Sequence, residues 1–103
     1  PLRSSLIVLI QEVASALVYL HNQKRVHRDL KPGNVLQIKQ TWKLSDFGLV
    51  RHLDTQSYVY TSNPIGTIVY MPPEAFDGNI SAAWDLWSLG IMLVKMTTGK
   101  LPY

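Results

Sequence analysis

Apolar positions recur at three- and four-residue steps through residues 2–22: Leu6, Ile7, Ile10, Val13, Ala14, Leu17 and Leu20. Arg3, Gln11, Glu12 and Ser15 fall mostly between them. This spacing predicts an amphipathic helix that stops near Asn22. Residues 25–34 lose the period and gain charge, and Pro32-Gly33 marks a turn. Val35-Leu36-Gln37-Ile38 and Trp42-Lys43-Leu44 read as two short strands joined by Lys39-Gln40-Thr41, a connection without glycine. Residues 51–68 are polar and rich in hydroxyls (Thr55, Ser57, Tyr58, Tyr60, Thr61, Ser62), and read as a long loop of the kind that carries function. Pro72-Pro73 restricts the chain before a short helix at residues 74–76, and Asp77-Gly78-Asn79 is a turn.

Residues 82–97 predict a second helix of different character. Trp84, Leu86, Trp87, Leu89, Ile91, Met92, Leu93, Val94 and Met96 surround nearly all of it, with Asp85, Ser88 and Lys95 interrupting on one narrow side. A helix that is apolar all round needs cover all round. A chain of 103 residues buries only about 60–70% of its surface. One amphipathic helix and a small hairpin cannot wrap such a helix, so the expectation is that these residues are part of something larger.

Composition narrows the classes. Apolar residues make up 47% of the chain and charged residues 17%, an ordinary balance that excludes wholesale disorder. There is no cysteine, which excludes a disulfide framework and thiolate metal sites and suits a reducing, cytoplasmic setting. No run of residues approaches the ~18 apolar positions of a membrane span, so no membrane contact is expected from this segment. The formal charge of +3 comes from scattered Lys and Arg, with one tight group at residues 24–31. No nucleic-acid surface is expected from that scatter.

The chemistry-bearing residues come in order. His27-Arg28-Asp29-Leu30-Lys31-Pro32-Gly33-Asn34 is followed, twelve residues after Asn34, by Asp46-Phe47-Gly48. Gly66-Thr67, Pro72-Pro73-Glu74 and Asp85-Leu86-Trp87-Ser88-Leu89-Gly90 complete the set. Together these motifs resemble the eukaryotic protein kinases, whose catalytic loop, metal-binding loop, activation segment and following helix they match in order and spacing. The resemblance covers nearly all of residues 1–103 and implies an α+β, kinase-like fold: a partial domain, mainly the helical large lobe, with the small lobe and last helices absent.

The resemblance also implies roles. Asp29 would be the catalytic base, and Lys31 would reach the transferring phosphate. Asn34 and Asp46 would hold Mg²⁺ alongside ATP, since hard oxygen ligands suit that ion. Arg28 would pair with a phosphorylated residue of the activation segment, with Thr61 and Ser62 the best candidates. Thr67 would turn its hydroxyl toward Asp29 and Lys31. His27 would pack and hydrogen-bond, Phe47 would pack on the small lobe, and Gly48 would let the backbone turn. Asp85 would brace the catalytic loop from below, and Glu74 would lack its usual arginine. Lys31 and Gly66-Thr67 resemble the serine/threonine-directed members, and Gly66-Thr67, Tyr70-Met71 and Pro73-Glu74-Ala75 loosely resemble the Pelle and interleukin-receptor-associated group.

Two positions depart from the family pattern: Pro72 stands where alanine is usual, and Trp84 before Asp85 is bulkier than expected. No Gly-rich loop, strand lysine or partner glutamate lies within residues 1–103. The implied function is transfer of the ATP γ-phosphate to serine or threonine hydroxyls of a protein substrate by the parent protein, under control of an upstream kinase. The isolated segment is expected to be inactive. The alternative is a non-catalytic, pseudokinase-like or truncated binding module, but Asp29, Lys31, Asn34 and Asp46 are all present.

Overall fold

The computed structural model describes residues 3–53, 58–60 and 67–102. Helix α1 spans Arg3–Asn22, as the spacing predicts, but its buried stripe is Leu9, Val13, Leu17 and Leu20, while Ile7 is exposed. Val8, Val18 and Tyr19 are exposed too, so α1 carries apolar residues on more than one face. Which face turns inward is decided by neighbours: Leu9, Val13 and Leu17 meet Leu30, Val35 and Met92 in one core cluster. The expectation that no segment reaches membrane-spanning length and apolarity needs amending, because residues 5–22 of α1 pass that test. Of that window 22% is buried, and the buried part turns toward the core. The helix supplies that buried stripe, and its Glu12 carboxylate accepts a hydrogen bond from the Trp42 amide at 3.3 Å.

Three two-stranded antiparallel sheets follow. Strands β1 (Arg25–Val26), β2 (Val35–Ile38), β3 (Thr41–Leu44), β4 (Arg51–His52), β5 (Tyr58–Tyr60) and β6 (Asn79–Ser81) pair as β1 with β4, β2 with β3, and β5 with β6. The β2–β3 hairpin is as predicted, except that Thr41 joins the strand and pairs with Ile38. This leaves a two-residue turn, Lys39-Gln40, with φ of 50° and 67°. Positive φ at both central residues is the geometry that matches strand twist in tight hairpins. The other two pairs place strand residues in and beside the stretch expected to be all loop. At two and three residues they are too short to show an alternating pattern. The predicted short helix is a 3₁₀ stretch, Pro73–Asp77, closed by Gly78 at φ 87°.

Helix α2 spans Ala82–Thr98. The Ser81 hydroxyl caps its start by accepting from the Ala83 amide. Gly99, at φ 78°, ends it with its N–H on the Lys95 carbonyl. The helix is not covered all round: Leu86 is 58% exposed, and Trp87 and Val94 are also exposed. Its buried side carries Trp84, Asp85, Ser88, Ile91 and Met92. Two of the polar interruptions therefore face inward and apolar residues face outward, the reverse of a simple amphipathic helix. The reason is what lies beneath. Asp85 meets backbone N–H groups, and the Ser88 hydroxyl donates to the Tyr70 carbonyl at 2.5 Å. A second core cluster, Val26, Leu53, Met71, Ala75, Ile80 and Trp84, joins β1, β6 and the 3₁₀ stretch to the first turn of α2.

Candidate functional site

Strand β1 delivers the chain directly into the 27–34 loop, and α2 holds that loop from below. Asp85 is fully buried. Its Oδ2 accepts the His27 amide at 2.8 Å, and its Oδ1 accepts the Arg28 amide at 2.9 Å. The His21 ring at the end of α1 donates from Nε2 to Oδ2, also at 2.8 Å. One carboxylate thus satisfies two buried N–H groups that would otherwise lack partners. Arg28 sits at φ 72°, a conformation that costs a non-glycine residue about 1–3 kcal/mol and persists only where surroundings enforce it. The bond from Asp85 to its amide supplies that enforcement.

His27 is fully buried and held on both ring nitrogens. Nδ1 accepts from the Asp29 amide at 3.1 Å, and Nε2 lies 2.9 Å from the Ser45 carbonyl. An amide can only donate and a carbonyl can only accept, so the ring is the neutral Nε2–H tautomer. His27 is a structural tie, with no lone pair left for proton transfer.

Asp29 is nearly buried, and both of its carboxylate oxygens accept hydrogen bonds. The Thr67 hydroxyl donates to Oδ1 at 2.8 Å, and the Asn34 amide donates to Oδ2 at 3.2 Å and to the Asp29 carbonyl at 2.7 Å. Lys31 Nζ donates to the Thr67 hydroxyl at 3.0 Å and lies 3.9 Å from Asp29 Oδ1. The structure therefore brings Asp29, Lys31, Asn34 and Thr67 into one cluster, with Thr67 facing Asp29 and Lys31. Asn34 ends the 3₁₀ turn Pro32–Asn34 and uses its NH₂ group on Asp29. Its side-chain carbonyl oxygen is the atom left for a cation.

The 46–48 loop reaches the same region through the hairpin. The Asn34 carbonyl accepts from the Ser45 amide at 2.9 Å and from the Ser45 hydroxyl at 3.3 Å, which ties the two loops at their shared end. Asp46 is exposed and left-handed at φ 57°. Gly48 has no positive φ, so the turn expected of it is made by Asp46. A Cβ at Gly48 would lie 3.5 Å from Asp46 Oδ1, an ordinary contact. Phe47 is half exposed and sets its ring edge against His27, 5.3 Å between centroids. An open apolar groove of about 590 Å³ runs beside it, between α1 and β3, lined by Tyr19, Leu20, Trp42, Leu44 and Phe47 among others. None of Asp29, Asn34 or Asp46 lines that groove.

The Arg28 side chain runs away from this cluster. It is 7% exposed, its Nε donates to the Leu49 carbonyl at 2.6 Å, and its guanidinium lies 5.8 Å from the centroid of the Trp84 ring. Burial pushes the guanidinium below its usual pKa, Arg51 adds to that, and Asp85 opposes it. An arginine stays charged through such a shift. Arg51 is a second cation at this place that the motif pattern did not single out. His21 and Ser45 also escaped, and Ser88 stood out in the sequence only as a polar interruption of an apolar helix, with no role attached. Thr61, Ser62 and Gly66 lie outside the described residues. Glu74 is in no ion pair among the described residues.

Among the described residues no group of three or more His, Cys, Asp or Glu could hold a metal ion unaided. Asn34 and Asp46 offer an amide oxygen and a carboxylate instead. An all-oxygen pair of this kind fits Mg²⁺, which keeps waters and takes phosphate oxygens for the rest of its shell.

The family model for the protein kinase domain matches residues 3–103, and the chain belongs to that family. It is 38% identical over 99 residues to a probable serine/threonine-protein kinase of Dictyostelium discoideum, covering 94% of this chain and 20% of that protein. It is 39% identical over 107 residues to the serine/threonine-protein kinase TOUSLED of Arabidopsis thaliana, covering 93% and 16%. Against mitogen-activated protein kinase kinase 1 of the same plant the identity is 40% over 98 residues, covering 92% and 27%. The chain thus spans about a quarter or less of the length of these relatives, and they single out no subgroup.

Proposed function

We propose that the whole protein transfers the γ-phosphate of ATP to serine or threonine hydroxyls of a protein substrate. The observation that carries this is the Asp29 carboxylate, which already accepts an aliphatic hydroxyl, that of Thr67 at 2.8 Å, with the Lys31 ammonium beside it. A substrate serine or threonine hydroxyl presents the same group. Asp29 orients it and takes its proton as its oxygen bonds to the γ-phosphorus, while the bond from that phosphorus to the bridging oxygen breaks and ADP leaves. Lys31 offsets negative charge on the transferring group. Asn34, through its side-chain oxygen, and Asp46 would hold Mg²⁺, which supplies charge neutralisation at the phosphates when bound. Asn34 is fixed for this by its two bonds to Asp29, whereas Asp46 is exposed. A reaction that consumes ATP suits a cytoplasmic setting, and that is the location proposed.

Arg28 and Arg51 form the proposed receiving point for a phosphate added to Thr61 or Ser62 by an upstream kinase. A phosphate there carries about −1.5 to −2 charge and takes bidentate bonds from arginine. The test is γ-phosphate transfer from Mg·ATP to serine/threonine substrates by the purified full-length protein, before and after phosphatase treatment. Transfer is expected, with loss on Asp29→Ala and reduction after phosphatase. The 1–103 segment alone is expected to show none. Transfer that survives Asp29→Ala overturns the assignment. A full-length protein that binds partners but never transfers phosphate would be a binding module.

A further inference from the structure

Trp84 is the residue that departs most from what the motif pattern leads one to expect, and it is placed where that departure matters. It is 1% exposed in the second core cluster, next to Asp85 in the first turn of α2. These two consecutive residues hold two parts of one arginine. Asp85 accepts the Arg28 amide at 2.9 Å, while the Trp84 ring lies 5.8 Å from the Arg28 guanidinium carbon. The indole N–H is buried and has no partner among the described residues. Its hydrogen-bonding group therefore does not account for a tryptophan here, which leaves its apolar bulk in the cluster and its π face. A guanidinium within about 6 Å of an indole face gains roughly 0.5–2 kcal/mol, more as water is excluded. Arg28 needs such a partner. It is nearly buried and Arg51 repels it; Asp85 attracts it without an ion pair among the described residues, and of its donors the Nε is taken by the Leu49 carbonyl.

We propose that the indole of Trp84 is a standing seat for the Arg28 guanidinium, which keeps the 27–34 loop ordered when no phosphate is present on the activation segment. Trp84 is a positioning residue: it acts on Asp29 through Arg28, and it lowers the dependence of activity on phosphorylation. This rests on the reading of Arg28 as the phosphate receiver.

The test uses full-length protein, wild type against Trp84→Leu and Trp84→Phe, each with the activation segment phosphorylated and phosphatase-treated. In the phosphatase-treated state Trp84→Leu is expected to lose about 3- to 30-fold in kcat, the fold-change that a lost cation–π contact gives. Phosphorylation should bring it to within about twofold of the phosphorylated wild type, because the phosphate replaces the ring as partner. Trp84→Phe, which keeps a π face, should restore most of the loss. An equal loss in both phosphorylation states would mean that Trp84 only packs, and no loss in either would mean that the seat is idle; both overturn the proposal. If no species transfers phosphate, the kinase reading itself fails, and a second measurement still decides. In protein labelled with ¹⁵N-arginine, the Arg28 Nε–H resonance, identified by its loss in Arg28→Lys, should carry an upfield ring-current shift that disappears in Trp84→Leu. An unchanged resonance overturns the seat whatever the activity.

Discussion

The 27–34 loop and the 46–48 loop each present an acidic residue to the proposed phosphotransfer site, and they are held in opposite ways. The first is interior. His27, Arg28, Asp29 and Asn34 are buried, and bonds reach them from α2, from Ser45 and from Thr67. The second is exposed from Asp46 through Gly48, and its side-chain contact to the interior is the edge of Phe47 on His27. Each contains a left-handed non-glycine residue, Arg28 and Asp46. Only at Arg28 is that conformation braced by a buried carboxylate. The difference divides the labour. A base must be in place before substrate arrives, because positioning supplies much of the rate. A metal ligand can be ordered by the ion it binds. On the proposed function, proton acceptance would be built into these 103 residues, while the metal half of the site would be completed on loading.

The largest effect that tests this division is on turnover. In the full-length protein, Asp29→Asn is expected to lower kcat by about 10²–10⁴-fold, the usual contribution of a positioned general base. Affinity for Mg·ATP should stay nearly intact. Asp46→Asn should weaken Mg·ATP binding as well as turnover, because it removes a charged ligand. Titrating Mg·ATP against both variants reads the difference. Equal losses of affinity would mean that the two loops form one unit and that the comparison is wrong.

A second test removes the brace. Asp85→Ala leaves the buried His27 and Arg28 amides without acceptors, at a cost of about 2–5 kcal/mol for the two. Urea denaturation of the full-length protein should register that loss. Asp46→Asn, on an exposed loop, should fall within about 0.5 kcal/mol of wild type. A comparable destabilisation by both would show that the 46–48 loop is as much a part of the frame as the 27–34 loop.

How much of this was legible beforehand depends on what each feature leaves in a one-dimensional string. Both helices and the β2–β3 hairpin left a period, and the cluster of Asp29, Lys31, Asn34 and Thr67 left a spacing. The inward side of α1 did not. Leu9 and Ile7 are both apolar, and only the position of Val35 and Met92 decides that Leu9 is the buried one. The β1–β4 and β5–β6 pairs left nothing, because two or three residues cannot display alternation. Left-handed Arg28, Lys39 and Gln40 were invisible for a related reason. Glycine and asparagine announce that conformation, whereas arginine, lysine and glutamine adopt it only under tertiary constraint. The partners of Asp85 were foreseen in outline as a brace, but the His21 contact joins residues 64 apart in sequence, and no local pattern records it.

The smallest effect lies in the hairpin that connects the two loops. β2 begins directly after Asn34 and β3 ends two residues before Asp46. If the 46–48 loop drew its order from this hairpin, stiffening the hairpin would improve the metal half of the site. The turn offers a way to do so without touching either loop. Lys39 and Gln40 are exposed, so no packing is lost on changing them, and both hold positive φ that L side chains adopt at a cost. Asn-Gly is the pair best suited to a two-residue turn of this kind. Lys39→Asn with Gln40→Gly in the full-length protein is therefore expected to add about 1–2 kcal/mol to stability, read as a higher urea midpoint with unchanged slope. Mg·ATP affinity should stay within about twofold, since RT ln 2 is well below the stability gained. If affinity instead rises in step with stability, the hairpin transmits its rigidity to Asp46. The metal half would then be pre-organised through β3 and not by the ion, which is the opposite of what the exposed Asp46 carboxylate indicates.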